Sequence, residues 1–420
     1  MSSSPTKPSR DLYRLLAVLT LINFVNFAAR LVFVPLIPLL RGPLNATDEQ
    51  LGTLTSVLYV VLAVASIPFG YFADRFSRKF IIAIGIVSWS VATLAGGLAG
   101  GFVFLLVTRS LVGLGEAAYA PAAQSMISGA YPSERRASAQ AIFASGMLLG
   151  GVCGQTLGGI IGPRYGWQAA LIVLGLFGLL PGLALLGIEE PPRGPRSDVV
   201  PILRILSVPA FLAIISAGIC ITFASVSLLS WGVDFAVSYK DFSVREASVL
   251  LSGSTLLSLI LGVLCGGGVA DRLQRRFSYG RLIAIGMALL FATPFLLCAI
   301  LSDDKQVVLA GLFVAGFFMS WYHGPVTAVI HDLMPRRAHS TSIGVYMFFT
   351  QLVGGLGPKI VGKISDLRDL QVGLEIAVAV LVCGALLMIL VIHFIRRDGL
   401  RHPQLEAFHV DHPQELVEKS

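Results

Sequence analysis

Three ionisable side chains lie within stretches of sequence that are otherwise apolar. Arg30 lies in the first apolar run, and Arg109 and Glu116 lie in the fourth. A charged side chain at the centre of a bilayer costs at least about 2.5 kcal/mol, so such groups normally face the interior of a helix bundle and are paired or solvated there. We expect these three side chains to meet in a central cavity.

The helical period places further polar groups beside these charges. Asn23, Asn26 and Arg30 fall at i, i+3 and i+7 on one helix face, and Arg109 and Glu116 also share a face. The guanidinium groups stay protonated, whereas Glu116 can exchange a proton. With all three charged, the cavity carries one net positive charge and favours a phosphate, sulfate or carboxylate group. In the alternative interpretation, a permanent bridge to Glu116 only fixes helix packing.

Three further residues belong to the predicted substrate or proton site. His323 lies in a Trp-Tyr-His-Gly-Pro sequence, where a proline kink can place the ring near the cavity, although a packed histidine is an equally good interpretation. Tyr119 follows Glu116 in the fourth run, and Gln155 lies in the fifth, where polar side chains also hold membrane helices together. The sequence contains no Walker loop, metal-ligand cluster or nucleophile motif, so we expect no cofactor and no enzymatic activity.

The elements that carry these residues have the composition of membrane helices. Hydrophobic residues make up 55% of the 420 residues and charged residues 13%, and the mean hydropathy is +0.80. A helical crossing needs about 20 apolar residues. The chain contains twelve apolar runs, of which the first spans about 15–40 and the eleventh about 341–364. The predicted fold class is therefore an all-α membrane protein with twelve transmembrane helices.

The twelve runs form two pseudo-symmetric sets of six. We predict an N-terminal half at 1–188, a linker at 189–206, a C-terminal half at 207–398 and a tail at 399–420. A charged loop after the second run recurs after the eighth, with the residues Gly70, Asp74, Arg75 and Arg78 and then Gly267, Asp271, Arg272 and Arg275. We expect these loops to stabilise a gate, the glycines by close helix approach and the aspartates by pairing with basic neighbours. Two parallel halves with a site between them are a known plan for secondary transporters.

Basic residues indicate how the chain is oriented in the membrane. Of the 31 Lys and Arg residues, 21 lie in the terminal segments and in the loops on the same side as the termini. Because positive residues resist translocation, we expect both termini to be cytoplasmic and the membrane to be the plasma membrane. This topology explains the net charge of +7 without a nucleic-acid partner. The expected partners are membrane lipids and an anionic or lipid-like solute, and we expect a monomer.

The repeated loop resembles the signature loop of the major facilitator superfamily. Its pattern is Gly-x-x-x-Asp-Arg-x-x-Arg in both copies, and the fourth run, with Arg109-Ser-Leu-Val-Gly-Leu-Gly-Glu116, resembles the Spinster-like branch. The resemblance implies alternating access and transport of a lysolipid or sphingoid phosphate. An organic-anion symporter or facilitative carrier of the same superfamily is an alternative. A receptor that does not transport, built on the same fold, is an alternative of another class.

The first run departs from the Spinster-like pattern at one position. Where members of that branch carry Asn-Tyr-x-Asp-Arg, this chain has Asn26-Phe-Ala-Ala29-Arg30. Arg30 is retained, but its acidic neighbour is an alanine. We therefore expect Glu116 to be the proton carrier if transport is proton-coupled.

Overall fold

The computed structural model describes residues 10–191, 201–335 and 338–397. Within these ranges the chain forms helices and no strands. The predicted tail, half of the predicted linker (192–200) and the side chain of Asp74 lie outside the described residues. The predicted boundaries between halves, linker and tail stay predictions.

Six crossings precede the linker and six follow it, in agreement with the predicted fold class. The N-terminal crossings are α1 (Arg10–Leu31), α2 (Asp48–Arg75), α3 (Arg78–Gly96), α4 (Phe102–Ala130), α5 (Ser133–Tyr165) and α6 (Trp167–Leu186). The C-terminal crossings are α7 (Pro209–Tyr239), α8 (Val244–Arg276), α9 (Gly280–Leu301), α10 (Lys305–Met319 and His323–Leu333), α11 (His339–Phe349 and Gly357–Leu367) and α12 (Leu370–Arg397). Short helices also form at Ile37–Leu44, after α1, and at Ile202–Leu206, before α7.

The eleventh crossing differs from the others in its backbone. Eleven segments of the described chain are long and apolar enough to cross a membrane, and α11 is not among them. Its two helical parts have 11 residues each and flank a π-helical turn at Thr350–Gly354. Each part is about 16 Å long, against about 30 Å for a hydrocarbon core. All twelve predicted crossings are therefore present, and α11 is built from two helical pieces.

The two halves meet on one side of the bundle. We call the side where α1 begins and α12 ends the termini side, and the opposite side the far side. Among the described residues, all hydrogen bonds and ion pairs between the halves lie in the far-side part of the bundle. The structure is therefore closed on the far side.

An ionic cluster, which we call the far-side gate, joins the halves there. Arg41 of the N-terminal half contacts Asp48 at 2.7 Å and Asp234 of α7 at 2.9 Å. The Asp234 side chain is fully buried, with an exposed fraction of 0%. The carboxylate of Asp366 on α11 accepts hydrogen bonds of 2.8 Å from the backbone N–H groups of Asp48 and Glu49, which open α2. A carboxylate at a helix N-terminus is favoured by the free N–H groups and the helix dipole.

Backbone contact completes the closure. A Cβ atom at Gly52 of α2 would overlap Pro358 of α11, and one at Gly362 would overlap Asp48. The close approach that we predicted at Gly70 and Gly267 is wrong for this structure, because a Cβ atom at either position meets no atom within 4 Å. These two glycines lie at the termini-side ends of α2 and α8, where no described hydrogen bond or ion pair joins the halves. Close packing through glycine occurs instead at the closed end.

The first repeated loop is anchored within the N-terminal half. Arg78 is buried, donates from Nε to Glu190 at 2.9 Å, and also donates to the carbonyl oxygen of Pro191 and, from Nη1, to Oγ of Ser125 at 3.2 Å. Glu190 accepts further bonds from Ser77 and from the backbone of Arg78. Burial alone would raise the pKa of Glu190, but these hydrogen bonds and the positive charge outweigh it and lower the pKa to about 2. The loop thus fixes the chain segment that leaves α6.

The second repeated loop is anchored within the C-terminal half. Arg281 at the start of α9 donates to Asp271 at 3.1 Å and to Asp332 at the end of α10 at 2.6 Å. Arg272 and Arg275 are exposed, and in the first loop the Arg75 guanidinium lies over the Tyr71 ring at 4.1 Å. On the termini side, the described ion pairs therefore stabilise each half separately. A role of these loops in gating stays a prediction.

We expect Asp234→Asn to favour opening of the far side, because it removes the ion pair between Arg41 and Asp234 and leaves the pair of Arg41 with Asp48 intact. A loss of about 1.4 kcal/mol changes an equilibrium about tenfold. Spin labels at the exposed residues Tyr165 and Leu367, at the far ends of α5 and α11, report the separation of the halves. The fraction of molecules in which the two labels are farther apart should rise about tenfold. The matched control is Asp303→Asn, which breaks a pair with Lys240 inside one half; an equal shift in both variants would contradict the assignment.

We expect Glu190→Gln to lower the melting temperature at neutral pH and to have no effect in strong acid. A carboxyl group whose pKa is lowered by folding stabilises the protein above its ordinary pKa, and this stabilisation is lost as the pH falls from about 4.5 toward 2. Thermal unfolding in detergent, followed across this pH range, should show the two proteins converging in acid. Glu189→Gln, at the exposed neighbouring position, is the control. A melting-temperature difference that stays constant with pH would exclude the Arg78 to Glu190 contact as its source.

Candidate functional site

An ion pair between the first and fourth crossings forms the centre of the site. Arg30 in the last turn of α1 donates from Nη2 to Oε2 of Glu116 on α4. The two side chains are 12% and 1% exposed. Two charges removed from water in this way hold each other in place, since either one alone would be strongly destabilising. The structure thus brings together two of the three charged residues that the sequence singles out.

Arg109 completes the cluster without a carboxylate partner. It lies two turns before Glu116 on α4 and is 4% exposed. Its guanidinium lies 4.4 Å from the centre of the Phe33 ring, and its Nε donates to the carbonyl oxygen of Leu54 at 3.4 Å. Among the described carboxylates, none lies within ion-pair distance of Arg109. The cluster of Arg30, Arg109 and Glu116, which we call the charged cluster, carries one net positive charge when all three are ionised.

Two glycines position α4 between its neighbours. A Cβ atom at Gly113 would lie 2.6 Å from the carbonyl oxygen of Leu58 on α2, and one at Gly115 would lie 2.7 Å from the backbone nitrogen of Trp89 on α3. Real Cβ atoms essentially never come this close, so only glycine permits these backbone contacts. The motif that carries Arg109 and Glu116 therefore also contains the residues that hold α4 against α2 and α3.

The end of α1 opens a small space beside the cluster. After α1 ends at Leu31, the chain forms a 3₁₀ turn at Val34–Leu36. The space is lined by Arg30, Phe33, Thr55, Tyr59 and Arg109 from the N-terminal half and by Leu229 and Ser230 from α7. Its volume of about 10 Å³ accommodates about one water molecule. A solute larger than a water molecule does not fit in this space.

Several buried polar atoms around the cluster have no hydrogen-bond partner among the described residues. They are Asn26 Nδ2, Arg30 Nε, Thr55 Oγ1 and Glu116 Oε1. Leaving such a group unsatisfied costs about 1–3 kcal/mol, so water or a ligand normally supplies the missing bond. The free oxygen of Glu116 is available to a proton, and the free Nε of Arg30 is available to an acceptor.

Asn23 and Tyr119 make no described bond to the ion pair. Asn23 donates to the carbonyl oxygen of Phe143 at 2.8 Å and joins α1 to α5. Tyr119 donates to the carbonyl oxygen of Leu19 at 3.4 Å and packs edge-on against Trp89. These bonds hold helices together, as expected for polar groups in membrane bundles.

Gln155 and His323 also make no described bond to the cluster. Gln155 is 5% exposed on α5. His323 follows a 3₁₀ turn at Ser320–Tyr322 in α10, and its ring is exposed and lies 5.6 Å from the Tyr322 ring. The functional roles of both residues stay predictions.

Sequence reasoning missed the neighbours of the cluster and the far-side gate. Phe33 and Thr55 carry no signal of their own, because a phenylalanine or threonine in an apolar run is unremarkable. Asp234 did carry one, since it is an acid within an apolar run and such acids normally have a partner inside the bundle. Its partner Arg41 lies directly after the first apolar run, where a basic residue carries no such signal.

The chain matches known families over most of its length. The sequence model of the Major Facilitator Superfamily matches residues 19–358. Protein spinster homolog 1 of Xenopus laevis is 26% identical, with 91% of this chain and 80% of the relative covered. A protein described as an MFS-type efflux pump from Mycolicibacterium smegmatis is 25% identical, with 85% of each chain covered.

Two solved structures share the fold. A bacterial homolog of the human lysosomal transporter Spinster, in an inward-facing and occupied conformation, superposes with a TM-score of 0.83 at 24% identity, with 94% of this chain and 99% of that chain covered. A nucleoside transporter superposes with a TM-score of 0.75 at 13% identity, with 90% of this chain and 99% of that chain covered. The family match, the apolar crossings and the shared fold identify a multi-pass integral membrane protein. The chain belongs to the Major Facilitator Superfamily of transporters, and within it resembles the Spinster-like branch.

Proposed function

We propose that this transporter moves an anionic or zwitterionic organic solute, which binds at the charged cluster of Arg30, Arg109 and Glu116. The observation that carries the proposal is the imbalance of charge: the cluster contains two guanidinium groups and one carboxylate, which pairs with Arg30 and leaves the buried Arg109 without a described carboxylate partner. A buried cation without a counter-ion is unfavourable in a medium of low dielectric constant. An anionic group of the solute supplies the missing charge.

The chemistry of guanidinium favours particular anions. Its planar donors match the oxygens of phosphate, sulfate and carboxylate groups, and such bonds are stronger than neutral hydrogen bonds. The apolar surroundings, including the Phe33 ring against Arg109, strengthen the attraction further by excluding water. The similarity to Spinster homologs supports a lysolipid or sphingoid phosphate, and small organic acids are the alternative solutes.

Glu116 is the proposed proton carrier. Its Oε2 accepts from Arg30 while its Oε1 has no described partner. Protonation of Glu116 removes the charge that holds Arg30, so the guanidinium becomes free to bind the anion. Proton and solute are then coupled through one side chain, as two ligands that each change the affinity for the other.

Alternating access relates this site to the two sides of the membrane. The closed far side and the separated termini side support a cavity that opens on the termini side. With the termini in the cytoplasm, as the basic residues favour, this is the inward-facing state of a plasma-membrane protein. We propose that a single chain performs the cycle by rocking one half against the other.

Replacing Arg30 with alanine should abolish transport. The first measurement is a thermal-shift screen of lysolipids, sphingoid phosphates and organic acids on the purified protein, which identifies a solute for flux assays in vesicles. Loss of a charged hydrogen bond, worth about 1.5–3 kcal/mol, should weaken binding of that solute at least about tenfold. Arg164→Ala, on the far side and away from the cluster, is the control.

Unchanged flux by a well-folded Arg30→Ala protein would exclude the site. Specific binding of a solute without any flux, in vesicles that contain the wild-type protein, would instead favour the receptor alternative.

Replacing Glu116 with glutamine should remove the response of transport to a pH gradient. Glutamine retains a hydrogen bond to Arg30 but cannot take up a proton. Flux of the identified solute is measured in vesicles with and without an imposed gradient, and only the wild type should respond. A wild type whose flux ignores the gradient would contradict proton coupling and favour a facilitative carrier. A gradient response that persists in Glu116→Gln would place the proton on another residue.

A further inference from the structure

The π-helical turn of α11 lies at the level of the charged cluster. It spans Thr350–Gly354 and separates the two helical parts of this crossing. Irregular backbone inside a membrane is tolerated where it is buried in protein or lines a cavity, and π turns occur frequently at functional sites.

One side chain of the N-terminal half connects the turn to the charged cluster. A Cβ atom at Gly355, directly after the turn, would lie 2.6 Å from Cβ of Tyr59 on α2. The Tyr59 ring in turn lies with its centre 5.7 Å from the Arg30 guanidinium. Gly355 donates its N–H to the carbonyl oxygen of Gln351 at 3.0 Å, so Gln351 stands one turn nearer the termini side. On that side no described hydrogen bond or ion pair joins the halves.

Gln351 has unused hydrogen-bonding capacity at this place. Its Oε1 is buried and has no partner among the described residues. The preceding residue differs, because the Thr350 hydroxyl donates to the carbonyl oxygen of Tyr346 at 2.9 Å and is satisfied within its own helix. A side-chain amide offers both donors and an acceptor. A buried amide oxygen left without a partner costs about 1–3 kcal/mol, which a suitable ligand group recovers.

We infer that the π turn supplies the C-terminal part of the solute site, in which the Gln351 amide hydrogen-bonds a hydroxyl or amino group that the solute carries beside its anionic group. The inference rests on the proposed function of the charged cluster. Gln351 is neutral, so it adds no charge to the attraction that Arg30 and Arg109 exert on the anion. It distinguishes among anions by their neutral polar groups, because a site that is built to hydrogen-bond such a group rejects an analogue that lacks it.

The crossing that contains Gln351, α11, also contributes residues to the far-side closure. The part of α11 that follows the turn, Gly357–Leu367, contains Pro358, which contacts Gly52, and Asp366, which binds the start of α2. A solute held by Gln351 on one half and by Arg30 on the other touches both halves next to their closed interface. Binding at Gln351 is thus placed to influence the gate through a short stretch of helix.

The test uses two phosphates that differ in one hydroxyl group. The probes are oleoyl lysophosphatidic acid and its 2-deoxy analogue, which have the same charge and the same acyl chain. Their binding to the purified protein is measured below the concentrations at which they aggregate. The wild type should bind the hydroxylated phosphate about tenfold more tightly. Gln351→Met keeps the length of the side chain without its amide. This variant should lose the preference, because it weakens the binding of the hydroxylated phosphate only. Gln371→Leu, on α12 beside Glu375, is the control and should keep the preference.

The outcomes separate this inference from the proposed function. Equal affinity of the wild type for the two phosphates, with both weakened by Arg30→Ala, would overturn the role of Gln351 and leave the charged cluster in place. Equal weakening of both phosphates by Gln351→Met would likewise overturn it. Binding that is unaffected by Arg30→Ala would remove the proposed function and this inference with it. If Gln351→Met does not fold, Gln351→Asn, which keeps the amide but shortens its reach, should reduce the preference instead.

Discussion

The ion pair between Arg30 of α1 and Glu116 of α4 is the contact on which most of the structure depends, because neither charge is stable alone inside a hydrocarbon layer. Each would cost a few kcal/mol there without a partner. The pair holds α1 and α4 together at one depth, and Gly113 and Gly115 then fix that depth relative to α2 and α3. Arg109 lies on the same helix, and its position follows from the same packing.

The far-side gate and the charged cluster use charge in different ways. At the far side, Arg41 lies between carboxylates from both halves, so its positive charge is paired on each side of the interface. At the charged cluster, one guanidinium has no carboxylate partner among the described residues and relies on an aromatic ring and a carbonyl oxygen. A cation paired from both halves stabilises a closed contact between them, whereas an unpaired one stabilises the binding of a further ion. The same two residue types thus provide a gate in one place and a binding site in the other.

The sequence predicted the fold and the residues of the central pair, because apolar runs and isolated charges differ clearly in polarity from the residues around them. Twelve apolar runs with a repeated charged loop specify the crossings, and Arg30 and Glu116 differ sharply from their neighbours. The interface between the halves was not predictable in the same way. Which helix ends touch depends on the conformation, so Gly70 was expected to be in close contact and is open, while Gly52 is in contact.

The sequence did not predict the interruption of α11, for a different reason. The apolar pattern from 341 to 364 continues through the turn at Thr350–Gly354 without a break in composition. A π turn inserts one residue into the hydrogen-bond ladder, and hydropathy does not respond to that change. The interruption therefore shows in the backbone geometry and not in the apolar pattern.

That interruption also bears on how the chain enters a membrane. Neither eleven-residue part of α11 is long enough to span the hydrocarbon layer as a helix, and the second part carries Lys359, Lys363 and Asp366. An isolated segment of this kind partitions poorly from the translocon into lipid. Its stable insertion then requires neighbours that are already present, such as α7, whose Trp231 indole donates to the carbonyl oxygen of Pro358 at 3.0 Å. The C-terminal half is accordingly expected to assemble as a group of helices rather than one crossing at a time.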